Sequence, residues 1–365
     1  MQQGSEFRDV YNRDSVSSLA KRIQKTHPKF KAEDFVDSAL VNFAKLSLSE
    51  RSLQICRCLK EFLPVDFTEA IDIILKSQKA EMCSDELEGS EGFIVMPQTQ
   101  YVSEYGLKHF ELSMHALEEM TKRFTSEFAI RFFLIEFPDK TLAQMKKWAV
   151  HENCHVRRLA SEGCRPLLPW AMRLNQFVED PKPVIEILEL MKFSPERYVE
   201  RSIANNLNDI SKHHSDLVTK LLKKWQQEGV SSWLITHALR TLFKQGNPQA
   251  LKLNGFDPEA QIEVSELNLS PIVNFGENLE FSFKINSKRS EKLMIDYIVH
   301  HMKANGKLAP KVFKLAKKTI SGEQTISKKH SIREITTRKY YPGLHLVQIQ
   351  INGKVYAESS FELLM

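Results

Sequence analysis

Two strings, His155-Val156-Arg157-Arg158-Leu159-Ala160 and Tyr198-Val199-Glu200-Arg201-Ser202-Ile203-Ala204, stand 43–44 residues apart and share one pattern of apolar and basic positions. In each, the apolar residues fall three and four apart, the spacing of one helix face. A third helical unit, Thr236-His237-Ala238-Leu239-Arg240-Thr241-Leu242, follows after about 34 residues. Weak self-similarity at periods of roughly 35–45 residues, with two helices per unit, is the mark of a HEAT-type α-solenoid. Such a solenoid presents a long concave face that suits an extended partner, whether protein or nucleic acid.

Outward from these strings the helical period continues to about Gly255. Apolar residues recur at helical spacing in Phe35–Ala44, Leu53–Leu63, Ala70–Leu75, Phe110–Met120, Phe128–Phe137, Leu142–Val150 and Leu217–Trp225. Ser49-Glu50-Arg51 reads as a helix start, Leu63-Pro64 as its stop, and Phe137-Pro138-Asp139 as a break between two helices. The acidic, Gly-containing stretch Cys83–Gln100 reads as a loop. At Asn254-Gly255-Phe256-Asp257-Pro258 the period changes. Short alternating segments follow at Ile262–Leu269, Asn278–Ile285, Lys292–Met302, Val312–Leu315, His345–Ile351 and Val355–Leu363, with Asn352-Gly353 as a two-residue hairpin signal. Six or seven short strands in about 100 residues fit an immunoglobulin-like β-sandwich, and Tyr340-Tyr341 sit where a tyrosine corner would fall. The expected fold is therefore mainly α: a helical repeat domain over 1–257 and a small β-sandwich over 258–365.

Composition narrows the function classes. The chain has 365 residues, 42% hydrophobic and 27% charged, which excludes collagen-like, disulfide-scaffold and wholly disordered classes. No apolar run approaches the ~18–20 residues that span a bilayer. The N-terminal residues read as no secretory signal. Five cysteines make no disulfide framework, so a reducing cytoplasm is the expected compartment. The net charge of +5 is unevenly spread: from Ile262 onward there are 16 Lys and Arg against 10 Asp and Glu, and the rest of the chain is near neutral. A basic C-terminal module is compatible with a polyanion partner or simply with a soluble surface.

Three segments could hold chemistry. His151–Trp170 (HENCHVRRLASEGCRPLLPW) crowds Arg, His and Glu around a helix that ends at Gly163, with Arg-Pro and Pro-Trp beyond. Arg158, Glu162 and Arg165 are spaced four and three, so they could share a face; a solvated ion pair on a repeat helix reads equally well. In Tyr198–Asp209, Asn205, Asn206, Asn208 and Asp209 form either a helix C-terminal turn or a polar cluster lining a groove. In Phe124–Arg131, Glu127 stands near a helix start, where a carboxylate is favourable without any further role. Cys56 and Cys58 lack partners at zinc spacing and read as buried small hydrophobes. His213-His214 reads as a solvated helix end. No P-loop, GxGxxG or HExxH is present, no metal site is read, and no cofactor is implied.

The strings FTSEFAIRFF (124–133), HVRRLASEGCRPLLPWA (155–171) and YVERSIANNLNDISKHHSD (198–216) resemble the AlkC family of HEAT-like-repeat DNA alkylation repair glycosylases. LSLSERSLQICRCLKEFLP (46–64) and HALRTLFKQGNPQAL (237–251) are also similar to that family, so the likeness covers roughly residues 5–255. A longer subtype of the family adds an immunoglobulin-like C-terminal domain. The chain departs from the family pattern at Leu167, where an Arg is expected, and at Phe133, where a Pro is expected.

The resemblance implies hydrolysis of the N-glycosidic bond of cationic alkylated bases, 3-methyladenine and 3-methylcytosine, in duplex DNA without deep base flipping, by a monomer that needs no membrane. It places the active-site acids on Glu127, Glu162 and Asp209, the active-site tryptophan on Trp170, and a basic contact on Arg165. An N3-methylated base is already a good leaving group, so the help needed is negative charge beside an oxocarbenium-like sugar and an oriented water. Asp209 is expected to orient the water, Glu127 and Glu162 to stabilise the cation, and the face of Trp170 to lie against the sugar or lesion. Arg158 and Arg165 are expected to hold phosphates. Loops within Lys303–Lys318 and Lys328–Lys339, with Lys303, Lys307 and Lys311 foremost, are expected to grip the backbone opposite the solenoid. The alternatives are a non-catalytic DNA-binding or scaffold protein, for which the three acids would be dispensable, and a protein–protein adaptor with an apolar or acidic groove.

Overall fold

A computed structural model describes residues 7–82 and 91–365. The first helices are α1 (Arg13–Thr26), α2 (Ala32–Ala39), α3 (Leu48–Phe62), α4 (Phe67–Lys76), α5 (Met96–Tyr105), α6 (Phe110–Thr121), α7 (Ile130–Glu136) and α8 (Pro138–Trp148). They continue with α9 (Cys154–Glu162), α10 (Asn175–Glu179), α11 (Lys182–Met191), α12 (Arg197–Ser211), α13 (Ser215–Gln227), α14 (Ser232–Ala238), α15 (Arg240–Lys244) and α16 (Pro248–Leu253). Local chemistry sets many of their ends. α3 starts at Leu48, one residue ahead of its Ser49-Glu50-Arg51 signal, because Ser47 caps the Glu50 amide and the Glu50 carboxylate caps the Ser47 amide at 2.8 Å. Pro138 opens α8, where its missing N–H costs nothing.

Several expectations are corrected. Met96–Gln100 belong to α5 rather than to a loop, while Cys83–Ser90 lie outside the described residues. The unit Thr236–Leu242 is split at Leu239 between α14 and α15. The Asn-rich stretch of 205–209 does not end its helix. α12 runs on to Ser211, with Asn206, Asn208 and Asp209 buried, because tertiary partners offset their poor helix propensity.

Two compact units emerge. One runs to His213 and takes in Val230–Ala238; the other comprises His214–Gly229 and Leu239–Met365. In the first unit the repeat-bearing helices pack in series, α9 on α12 and α12 on α14. The apolar faces that the sequence spaces three and four apart meet there: Val156, Leu159 and Ala160 of α9 and Val199, Ile203 and Leu207 of α12 are all excluded from solvent.

The second unit holds three helices and six strands: β1 (Ile262–Leu269), β2 (Ile272–Asn274), β3 (Asn278–Met302), β4 (Leu308–Ser331), β5 (Gly343–Ile351) and β6 (Lys354–Leu364). The helix-to-strand switch falls between Leu253 and Ile262, as the Asn254–Pro258 signal predicts. All six strands form one hydrogen-bonded sheet in the order β1-β3-β5-β6-β2, with β4 on β3. The segments Asn278–Ile285 and Lys292–Met302 are thus halves of one 25-residue strand. A register shift between Ser287 and Glu291 interrupts its pairing with β4, and the strand pairs first with β1 and then with β5. Leu279, Phe281, Phe283 and Ile285 before the shift, and Leu293, Ile295, Tyr297 and Val299 after it, alternate into one apolar core. Asn352 and Gly353 take φ of 46° and 82°, the positive values of a tight hairpin turn between β5 and β6. Tyr340 is buried in the same core, its ring beside Phe275 and His301.

Candidate active site

Five of the nominated side chains form one chain of ion pairs within the helical unit. Arg158, on α9, places Nη2 2.7 Å from Glu127 Oε2 and 3.8 Å from Glu162 Oε1. Arg165, three residues past the end of α9, donates from Nη1 to Glu162 Oε1 at 2.6 Å and from Nε to Asp209 Oδ2 at 2.9 Å. Lys212, one turn beyond Asp209, reaches Asp209 Oδ1 at 3.0 Å. The order is therefore Glu127, Arg158, Glu162, Arg165, Asp209, Lys212, acid and base alternating. The five inner side chains are 3–13% exposed, and Lys212, 37% exposed, stands at the solvent edge.

Neutral groups complete the net. The Thr125 hydroxyl donates to Glu127 Oε2 at 2.8 Å, and the Ser202 hydroxyl to Glu162 Oε2 at 2.6 Å. Asn206 Nδ2 donates to the Ser161 carbonyl at 2.7 Å, joining α12 to α9 beneath the acids. The Tyr198 ring lies 5.0 Å below the Arg158 guanidinium. Among the described residues no partner reaches Glu127 Oε1. Burial pushes the Glu162 carboxyl up, but Arg158, Arg165 and the Ser202 hydroxyl outweigh it and hold the acid below the usual carboxylate range. Burial opposes the charge of Arg158 as well, and the Glu127 and Glu162 carboxylates raise it above the ordinary arginine value. Arg165 is raised by Glu162 and Asp209 in the same way.

Both arginines are thus turned inward on carboxylates rather than outward as free phosphate contacts. This differs from their expected presentation, because three buried acids need counter-charges within hydrogen-bond reach. Arg165 leaves the helix to do this: α9 stops at Glu162, so the two residues meet across a turn rather than along a helix face. Gly163 makes the turn possible, since a Cβ there would lie 2.6 Å from Ile130 Cγ2.

Trp170 stands on the loop that follows. Leu168-Pro169-Trp170-Ala171 is a turn closed by the Ala171 amide donating to the Leu168 carbonyl at 3.3 Å. Trp170 occupies its third position with φ +62°, where glycine is favoured, and is 84% exposed. Trp170 is therefore no part of the core. Phe7 lies beside it with ring centroids 6.0 Å apart. Phe133, expected by analogy to be a Pro, is fully buried within α7.

Lys303, Lys307 and Lys311 belong to the other unit and are exposed. Lys303 and Lys307 flank the β3–β4 turn, the Lys303 amide donating to the Lys307 carbonyl at 3.0 Å. Lys311–Lys318 and Lys328 lie on β4 itself, so most of the two basic stretches is strand rather than loop, held by pairing with β3. Cys56 and Cys58 are buried on α3 as expected. Among the described residues no group of three or more His, Cys, Asp and Glu is placed to hold a metal, and no helix is long and apolar enough to cross a membrane.

Sequence reading missed Thr125, Ser202, Lys212, Phe7 and Arg131. Lys212 could have been found from its i+3 spacing to Asp209. Phe7 and Ser202 reach the site only through packing, and no local pattern marks them.

Comparison with known proteins finds likeness in both parts of the chain. Residues 111–242 match the family model of the DNA alkylation repair enzyme, and residues 263–365 match that of the C-terminal Ig-like domain of the uncharacterised protein YhaZ. The chain is 38% identical to uncharacterized protein YhaZ of Bacillus subtilis over 98% of its own length and 99% of that protein's. It superposes on the alkylpurine DNA glycosylase AlkC of Pseudomonas fluorescens, bound to DNA containing an abasic site analog, with a TM-score of 0.92. That match has 34% identity and covers 99% of this chain and 100% of the other. With likeness over both units and the acid–base chain in place, the chain belongs to the AlkC family of DNA alkylation repair enzymes.

Proposed function

We propose that this protein is a DNA glycosylase that hydrolyses the N-glycosidic bond of cationic alkylated bases, 3-methyladenine and 3-methylcytosine, in duplex DNA without deep base flipping. The observation that carries the reading is the convergence of Glu127, Glu162 and Asp209 through Arg158 and Arg165, next to a loop that displays Trp170. The serial packing of α9, α12 and α14 supports the solenoid reading of the helical unit, and the bent sheet with its single core supports the sandwich reading of the other.

The chemistry follows from charge. The lesion base is a cation, so when its C1′–N bond breaks it departs neutral with the bonding pair, and positive charge develops on the sugar. Water adds its oxygen to C1′ and gives up a proton to a carboxylate or to solvent. No general acid is required. What lowers the barrier is negative charge held ready in a site poor in water. The ion-pair chain fixes the three carboxylates against the two inner guanidinium groups, with Lys212 as a third counter-charge at the solvent edge. Glu127 Oε1 and Glu162 face the cation, and Asp209 orients the water with the lone pairs that Arg165 and Lys212 leave. Trp170 lies against the sugar or lesion. Lys303, Lys307 and Lys311 hold phosphates, which gives affinity without sequence preference and a steep fall of binding with salt. The neighbouring AlkC complex holds an abasic analog, the kind of DNA that base release leaves.

The test is base release from methylated duplex DNA under single turnover. Wild type should release 3-methyladenine, and Asp209→Asn and Glu162→Gln should lower the rate by about 10²–10³ while DNA binding is retained. DNA binding without release by wild type would favour the non-catalytic binding protein.

A further inference from the structure

Arg131 is a fully buried charge in the helical unit. It lies four residues after Glu127 near the start of α7, and among the described residues no carboxylate comes within ion-pair distance of its guanidinium. Instead the group donates only to backbone: Nη1 to the Gly163 carbonyl at 3.0 Å and the Arg165 carbonyl at 2.8 Å, and Nε to the Met172 carbonyl at 3.0 Å. Burial lowers its pKa to about 10, so it stays a cation at neutral pH. Part of that cost is offset because Gly163 caps α9, and a cation at a helix C-terminus meets the negative end of the dipole.

The three carbonyls bracket one loop. Gly163 and Arg165 are its entry, and Met172 lies just past Trp170. Within it the Ala171 amide donates to the Leu168 carbonyl, and the Leu174 amide to the Pro166 carbonyl at 3.2 Å. Little else restrains Trp170 itself: it is 84% exposed, in a backbone conformation that disfavours any residue but glycine or asparagine. A strained, exposed aromatic needs a rigid base, and a planar five-donor group is the side chain suited to gathering three carbonyls.

We propose that Arg131 is a positioning residue, a latch that fixes the Gly163–Met172 loop so that Trp170 is held in its working place relative to Glu127. This inference rests on the glycosylase reading, and it can fail separately from it. The latch acts through Trp170, so the two residues should be coupled.

The experiment is a double-mutant cycle on single-turnover base release, with amide hydrogen exchange measured on the same proteins. Arg131→Lys keeps the charge but not the fork. It should cut release about 10-fold or more by misplacing the loop, and speed exchange of the Ala171 and Leu174 amides at least 10-fold while α1–α4 exchange as in wild type. In a Trp170→Ala background the Arg131→Lys effect should shrink to under about 3-fold, since the group positioned is gone. Arg131→Ala, if folded, should regain activity with low-millimolar guanidinium and not with ammonium. Effects that multiply independently, or wild-type exchange at Ala171 and Leu174 in Arg131→Lys, would overturn the latch. Absence of release by wild type would instead overturn the glycosylase reading, and the exchange result would still decide the latch.

Discussion

The acid cluster of the helical unit and the histidine cluster of the β unit bury titratable groups by opposite means. In the first, three carboxylates are met by guanidinium groups 2.6–2.9 Å away, which hold Glu162 below the usual carboxylate range. In the second, His301, His330 and His345 are 5%, 9% and 1% exposed and stay neutral. Arg338 donates to His301 Nε2 at 2.7 Å, His330 Nδ1 pairs with the Tyr297 hydroxyl at 2.9 Å, and His345 Nε2 donates to the Tyr341 carbonyl at 3.1 Å. Burial, with Arg338 nearby, depresses His301 to about 3 and His330 to about 4, and burial lowers His345. Neutralisation is the ordinary way to bury a titratable group, since it avoids desolvating a charge. The acid cluster instead supplies each buried carboxylate with a counter-ion within hydrogen-bond reach.

The largest predicted effect breaks the ionised arrangement. Arg165→Met strands Glu162 and Asp209 without their shared cation. It should destabilise the protein by about 3–5 kcal/mol in urea unfolding, the usual cost of unpairing a buried ion pair. The triple variant Arg165→Met, Glu162→Gln, Asp209→Asn should recover most of that loss while remaining inactive. A single variant as stable as wild type would mean the acids are solvated and the contrast false.

The neutral cluster should show itself in acid. His301 and His330 have folded pKa values far below the unfolded value near 6.5, so between about pH 4 and 6.5 unfolding takes up protons at both. Their contribution is complete above pH 6.5 and is lost as pH falls toward the folded values. At pH 5 each should lower unfolding free energy by up to about 1.4 kcal/mol per pH unit. The acid cluster works lower: Glu162, held below its ordinary value, contributes stability that is lost only as pH drops through 4.5 and beneath. Calorimetry from pH 7 to 4 on wild type and His330→Phe tests the assignment, and an unchanged pH slope in the variant would refute it.

The smallest effect has the opposite sign. Trp170→Gly removes a residue from a left-handed position that glycine adopts freely and should leave stability equal or raise it by about 1 kcal/mol. Base release should fall. A stability loss of more than about 1 kcal/mol would mean that Trp170 is there for packing with Phe7 rather than for a ligand.

Much was legible in the sequence because it depends on local spacing. The three-and-four period marks the helices, the change at Asn254–Pro258 the switch to strands, Asn352-Gly353 the hairpin, and the i+4 spacing of Arg158 and Glu162 their shared helix face. Helix capping and turn chemistry act over a few residues, so a sequence states them directly. What only the tertiary structure decided lies between distant segments. Glu127 meets Arg158 across 31 residues, and Arg165 meets Asp209 across 44. The same packing buries the Asn206–Asp209 stretch inside a helix that propensity would have ended, fuses two expected strands into β3, and turns Arg158 and Arg165 inward. Arg131, which pairs with carbonyls and with no side chain, carries no sequence signal at all: a backbone acceptor looks the same in every residue, and only the folded chain brings three of them to one guanidinium.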